Sequence, residues 1–141
     1  MARLPEQRLW DRLRKAMAGK VYTERIENLV GVGRPDVDTL VAGSFIPIEL
    51  KQVKQWPARA NSKVLGKKGL SQVQKNWHLQ WKSWGGKSLI VVGVGLNVYA
   101  FTGDFADDLN DFCKQEFDEY AVAIGLVGIV NYLIERSKNE N

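Results

Sequence analysis

Not one aspartate or glutamate occurs between Lys51 and Gly103, a stretch that holds nine lysines and arginines. Residues 1–50 are nearly balanced, eight basic against seven acidic, and residues 104–141 are acidic, nine against three. Such segregation gives the chain one positive side, the field a phosphate backbone would meet; a plain solvated lysine face is the alternative. Cysteine occurs once, as Cys113, which excludes an internal disulfide framework and fits a reducing compartment. Histidine also occurs once, as His78, so a zinc site or dyad built from histidines is excluded and a structural role is expected for it. Gly31-Val-Gly33 is followed by no Walker lysine and serine, so no nucleotide cofactor is indicated. Long apolar runs are missing too: Ala121 to Ile134 contains Asn131 and falls short of the roughly 20 residues a bilayer needs. Near the start, Arg3, Glu6, Arg8, Asp11 and Arg12 interrupt any leader-like run. The expectation is a soluble, intracellular, cytoplasmic protein with no membrane segment.

What remains is ordinary globular material: 141 residues, 45% hydrophobic, enough for the core of a single domain spanning 1–141. Leu4, Leu9, Trp10, Leu13 and Met17 recur at helical spacing and predict a helix over about 4–18, ended by Gly19. Val21–Leu29 reads as a strand, Gly31 to Pro35 as a break, then Val37–Val41 and Phe45–Leu50 as short strands. Residues 54–69 read as a flexible basic loop. A helix over about 70–84 follows, with Ser71 as N-cap and Gly85-Gly86 as its stop. Ser88–Val92 and Leu96–Phe101 read as strands joined by a Gly93–Gly95 turn, and the tail as two helices near 104–118 and 120–137. The order α-β-β-β-α-β-β-α-α predicts an α/β (α+β) fold, a mixed sheet flanked by helices, with its core at about 4–101 and a C-terminal helical extension at about 104–141.

The most informative segment runs from Gly33 to Lys51. A turn at Gly43-Ser44 would pair Ala42 with Phe45, set Asp36 opposite Lys51, and set Asp38 opposite Glu49. Alternation then gives one face to Asp36, Asp38, Leu40, Pro47, Glu49 and Lys51. The other face carries Val37, Thr39, Val41, Ile46, Ile48 and Leu50. A slip of one residue would invert the faces, so the pattern fixes its own register. Crowded carboxylates raise one another's pKa, and a hard divalent cation removes that conflict. Ordinary cross-strand surface pairs are the alternative.

Pro35-Asp36, twelve intervening residues and Glu49-Leu50-Lys51 resemble the signature of the PD-(D/E)XK nucleases. Gly33-Arg-Pro-Asp36, Ile48-Glu-Leu-Lys51, Leu70-Ser-Gln-Val-Gln74-Lys-Asn-Trp77 and Gly85-Gly-Lys-Ser-Leu-Ile-Val-Val92 resemble the VRR-NUC branch, related to archaeal-type Holliday junction resolvases. The resemblance covers about residues 4–101 and leaves 104–141 unmatched. It implies a restriction-endonuclease-like core, and Mg²⁺, with Mn²⁺ substituting, held by Asp36, Glu49 and the backbone carbonyl of Leu50. Lys51 would hold the attacking water and offset charge on the phosphate. Glu6 would reach the metal-bound water, unless it only favours its helix dipole. Gln74 would support the lysine and the substrate phosphate, unless it is merely exposed.

The implied partner is DNA, with Arg34, Lys54, Arg59, Lys63, Lys67, Lys68 and Lys75 as phosphate contacts and Trp56 as an exposed ring that stacks on an unpaired base. Trp77, Trp81 and Trp84 share one helix stripe, for which core packing is expected over base stacking. The apolar tail suits either the core or a subunit contact, and a homodimer follows from the need to cut two strands. The implied activity is Mg-dependent, structure-selective cleavage of branched, junction or flap DNA in repair, recombination or phage DNA metabolism. A less selective nicking enzyme, or a catalytically idle nucleic-acid-binding protein, are the alternatives.

Overall fold

The computed structural model describes residues 5–26 and 33–138. Leu4, the 27–29 end of the first predicted strand and Gly31-Val32 lie outside the described residues. The elements are α1 (Pro5–Met17), β1 (Tyr22–Arg25), β2 (Val37–Val41), β3 (Ser44–Val53), α2 (Gln72–Ser83), β4 (Leu89–Val94), β5 (Asn97–Thr102), α3 (Lys114–Tyr120), β6 (Ala123–Ile124) and α4 (Leu126–Lys138). Among the described residues these strands form a mixed six-stranded sheet in sequential order β1 to β6. Only the β3–β4 pairing is parallel, because α2 lies between those two strands and returns the chain to its starting end.

Alternation along β3 divides the core in two. Ile46, Ile48 and Leu50 point to one face, where they join Leu9, Leu13 and Met17 of α1 and Ile129, Val130 and Leu133 of α4. Val53 points to the other face, with Ile90, Val92, Tyr99 and Phe101, under Leu65, Leu70, Leu109, Phe112 and Phe117. Burying each such side chain stabilises the fold by about 1.5–3 kcal/mol. Glu49 and Lys51 share the second face, so the acid sits at the margin of a packed layer and is almost wholly buried. Among the described residues no helix is long and apolar enough to cross a membrane.

The hairpin differs from expectation in its register. Val41 pairs with Ser44, so Asp38 faces Pro47, not Glu49. The turn is Ala42-Gly43, both with positive φ (48° and 86°), the type I′ geometry whose twist matches the strands. Ser44 enters β3 instead of turning. The offset from the predicted pairing is two residues, so every side chain keeps its predicted face. The next turn is also displaced: Val94 pairs with Asn97 across Gly95-Leu96, and Gly93 stays in β4.

The basic loop is less open than predicted. Val64 and Leu65 are buried, and Gly66–Lys68 forms a 3-10 turn. Asn110 clamps the main chain of Leu70, accepting from its N–H and donating to its carbonyl, each at 2.8 Å. The tail is where the predicted elements fail most. Instead of one helix near 104–118 there are 3-10 turns at Gly103–Phe105 and Leu109–Asp111 and then the short α3. Asp and Asn favour turns over helix interiors, and here Asn110 is committed to Leu70. Instead of a helix beginning at 120, Val122 and Gly125 donate to Ala100 and Val98 at 2.8 and 2.7 Å, which adds β6 to the sheet before α4 starts.

Candidate active site

Asp36 lies at the entry to β2, where Gly33 brings the chain close to α2. A Cβ on Gly33 would stand 2.5 Å from the carbonyl oxygen of Val73, and its φ of +78° also favours glycine. The β2–β3 ladder ends at Val37 and Ile48, and beyond it Asp36 Oδ2 accepts from the N–H of Leu50 at 2.9 Å. The N–H and carbonyl of one strand residue leave on the same side, so the Leu50 carbonyl also faces the gap that Asp36 occupies. Asp36 therefore sits beside Leu50 and Glu49, not opposite Lys51.

The helix α2 supplies the other wall. Ser71 caps it: the Ser71 hydroxyl accepts from Gln74 N–H at 3.2 Å, and Gln74 Oε1 accepts from Ser71 N–H at 2.9 Å. This capping box aims the Gln74 amide at the sheet. Its Oε1 also accepts from Lys51 Nζ at 3.0 Å, while its Nε2 donates to Glu49 Oε2 at 3.3 Å. Lys51, Gln74, Glu49 and Asp36 thus form one connected polar chain. Among the described residues Lys51 makes no ion pair with either acid; its partner is the amide.

Burial dominates the electrostatics of Glu49. With the Asp36 hydrogen bond and charge added, and only Lys51 opposing, its carboxyl is pushed up to about 10. Two carboxyl groups in contact disfavour one another's charge. Partial burial also raises the Glu6 carboxyl; Lys51 and Arg25 oppose the rise and Asp36 adds to it. The first helix therefore does present Glu6 to the charges of this site. His78 is fully buried and burial pushes it down to about 4. Its Nε2 stands 3.8 Å from Glu49 Oε1.

Other predicted residues are placed elsewhere. Asp38, expected to be the third carboxylate of the cluster, is held by Arg34 Nη2 at 2.8 and 2.6 Å, which also ties down the guanidinium expected on the phosphate. Among the described residues no group of three or more His, Cys, Asp or Glu side chains converges as a cation cage. Trp56 is no exposed wedge: it packs edge-on to Tyr99 and Phe117, with Lys114 over its ring. Trp77 and Trp81 stack on each other at 5.0 Å, and Trp84 is 85% exposed, so the stripe is not core. Lys63 is paired with Asp111 at 2.8 Å. Arg59, Lys67 and Lys68 are exposed and Lys75 is partly so.

Lys54 lines a cleft of about 330 Å³ together with Arg8 and Arg12, two cations that the sequence pattern does not distinguish from plain surface charge. His78 as a neighbour of Glu49 was missed as well. The signal was present, since Gln74 and His78 are four apart and so share a helix face.

No protein-family model matches the chain, and no curated protein does. Among solved structures it is similar to Hjc of Archaeoglobus fulgidus, described as a Holliday junction resolvase from an archaeal hyperthermophile. The TM-score is 0.59 at 14% identity, covering 92% of this chain and 97% of that one. The two chains share a fold over nearly their whole lengths.

Proposed function

We propose that this chain is a divalent-metal-dependent DNA endonuclease that hydrolyses phosphodiester bonds in branched DNA. The observation that carries the reading is the convergence of Asp36, Glu49 and Lys51, through Gln74, on one site of a resolvase-like fold. The donor set suits a hard cation: two carboxyl groups in contact, a backbone carbonyl beside them, and a buried Glu49 Oε1 with no hydrogen-bond partner. Mg²⁺, with Mn²⁺ substituting, would be held by Asp36, Glu49 and the Leu50 carbonyl. Bound there, the cation would supply Lewis-acid stabilisation of charge on the phosphate. Lys51, steadied by Gln74, orients the attacking water and offsets charge on the phosphoryl oxygens. Glu6 faces the same charges from α1 and is assigned to the water side. Lys67, Lys68, Arg59 and Lys75, with Lys54 beside Arg8 and Arg12, are assigned to the DNA backbone.

The same reading assigns the chain to the VRR-NUC branch of the PD-(D/E)XK nucleases, supported by the order of its motifs. It also expects a homodimer, because a four-way junction presents two strands to be cut. The test is incubation with four-way, flap, linear and plasmid DNA, with and without Mg²⁺ or Mn²⁺. Metal-dependent cutting confined to branched substrates is the expected result. Nicking of every substrate leaves a less selective processing nuclease, and no cutting of any leaves a DNA-binding protein without activity.

A further inference from the structure

Two buried polar atoms without a hydrogen-bond partner are found among the described residues, Glu49 Oε1 and His78 Nε2, and they face one another at 3.8 Å. A buried donor or acceptor left unmade is costly, so a pair of them aimed at each other calls for a reason. The ring of His78 is not free to turn away. Its Nδ1 lies 2.7 Å from Ser88 Oγ, and its flank packs edge-on to Trp77. The Ser88 hydroxyl is itself boxed in, since a Cβ on Gly103 would stand 2.1 Å from it and 3.2 Å from His78 Nδ1. Where that hydroxyl donates to Nδ1, the ring's other nitrogen, Nε2, carries the proton and faces the acid.

We propose that His78, oriented by Ser88, is a positioning residue for Glu49, its Nε2 turned to Oε1 so that the ring's N–H holds that oxygen in place. Gln74 already holds Oε2, so the two partners on α2, one helical turn apart, fix the plane of the carboxylate between them. This rests on Glu49 being a cation ligand, as proposed above. A hydrogen-bond partner that orients a ligating group raises metal affinity by about 10- to 100-fold, whereas a histidine that only fills space affects stability alone.

The two roles separate on Mn²⁺ binding without DNA, followed through the EPR signal of free Mn²⁺. His78→Phe keeps the ring volume and removes the donor; His78→Gln keeps an amide donor; Ser88→Ala frees the tautomer without touching the ring. The expected result is about a tenfold or greater loss of Mn²⁺ affinity in H78F, a smaller loss in H78Q and in S88A, and thermal unfolding that does not follow this order. Equal affinity in wild type and H78F overturns the role of His78 while leaving the cation site standing. Failure of the wild-type chain to take up Mn²⁺ overturns both. If H78F does not fold, S88A decides: unchanged affinity there removes the proposal.

Discussion

Two acidic positions, two residues apart in the same hairpin, have opposite fates. Asp38, within β2, is matched by Arg34 through two contacts under 3 Å. Asp36, partly exposed, is pressed against the nearly fully buried Glu49, with no cation paired to either acid among the described residues. The first arrangement is what stability alone would select: a charge with its counter-charge, both partly exposed. The second is costly for the fold by itself, because burying crowded carboxyl groups forces one to keep its proton. That retained conflict is the feature on which the proposed cation site rests.

The contrast breaks if both acids behave alike on substitution. Asp36→Asn or Lys51→Ala is expected to lower the cleavage rate by about 10³-fold or more, the scale of losing transition-state charge stabilisation. Both variants should keep the fold and DNA affinity. Asp38→Asn should leave the cleavage rate close to wild type and cost stability by roughly 1 kcal/mol or less. Single-turnover rates on a four-way junction, beside thermal unfolding, check both; equal loss in the Asp38 and Asp36 variants would merge the two positions into one site.

The same division recurs among the cations. Lys63 is neutralised by Asp111, whose own carboxyl the Lys63 hydrogen bond and charge hold below the usual range. Lys67 and Lys68, a few residues on, make no ion pair among the described residues. Charge reversal of Lys67 and Lys68 together should weaken binding to DNA of every shape. It should also flatten the dependence of log affinity on log salt by about 1.8, roughly 0.9 for each phosphate no longer neutralised. Reversal of Lys63 should do less on both counts. An unchanged slope in the double variant places the DNA on another surface, with the Arg8, Arg12 and Lys54 cleft next to be tested.

How much of the molecule is legible in its residues follows from which interactions set each feature. Alternation in β2 and β3 is local, so the segregation of Asp36, Glu49 and Lys51 from the apolar face could be read directly. The capping residue Ser71 could also be read, because a cap is written in three or four neighbouring residues. The register could not, since it turned on whether Ala42 or Ser44 would accept the turn. The tail was the least readable. Phe105, Leu109 and Phe112 have helical spacing, yet the chain there is drawn into turns by a contact with Leu70, 40 residues away in sequence. Trp56 was misjudged for the same reason, because the rings that bury it, Tyr99 and Phe117, come from distant elements.

The buried acid should also reveal itself in stability against pH. The pKa of Glu49 is raised on folding, from 4.5 to about 10, so the folded protein holds a proton that the unfolded chain releases. Its contribution is therefore fully present below about pH 4.5 and is lost as pH rises toward 10. His78 acts oppositely and lower down: its folded pKa is depressed from 6.5 to about 4, so the penalty of keeping it neutral is absent above pH 6.5 and grows as pH falls toward 4. Metal-free wild type should lose thermal stability between pH 7 and 10, and Glu49→Gln should flatten that loss. Asp38→Asn should leave it unchanged. A parallel decline in wild type and E49Q would mean that Glu49 is already ionised in the folded protein.

The smallest effect concerns the turn that places both acids. Ala42 is the one non-glycine with positive φ among the described residues, and a left-handed conformation costs such a residue about 1–2 kcal/mol. Asparagine before glycine is the preferred type I′ pair, so Ala42→Asn should stabilise the protein by up to about 1 kcal/mol, a rise in midpoint of roughly 3 °C for a chain of this size. Register and cleavage rate should not change, because residue 42 is exposed at the tip of the hairpin, away from both acids. The substitution separates the hairpin as scaffold from the hairpin as site: Asp38 with Arg34 should share in the added stability, while the conflict between Asp36 and Glu49, which the turn only positions, should persist undiminished until a cation resolves it.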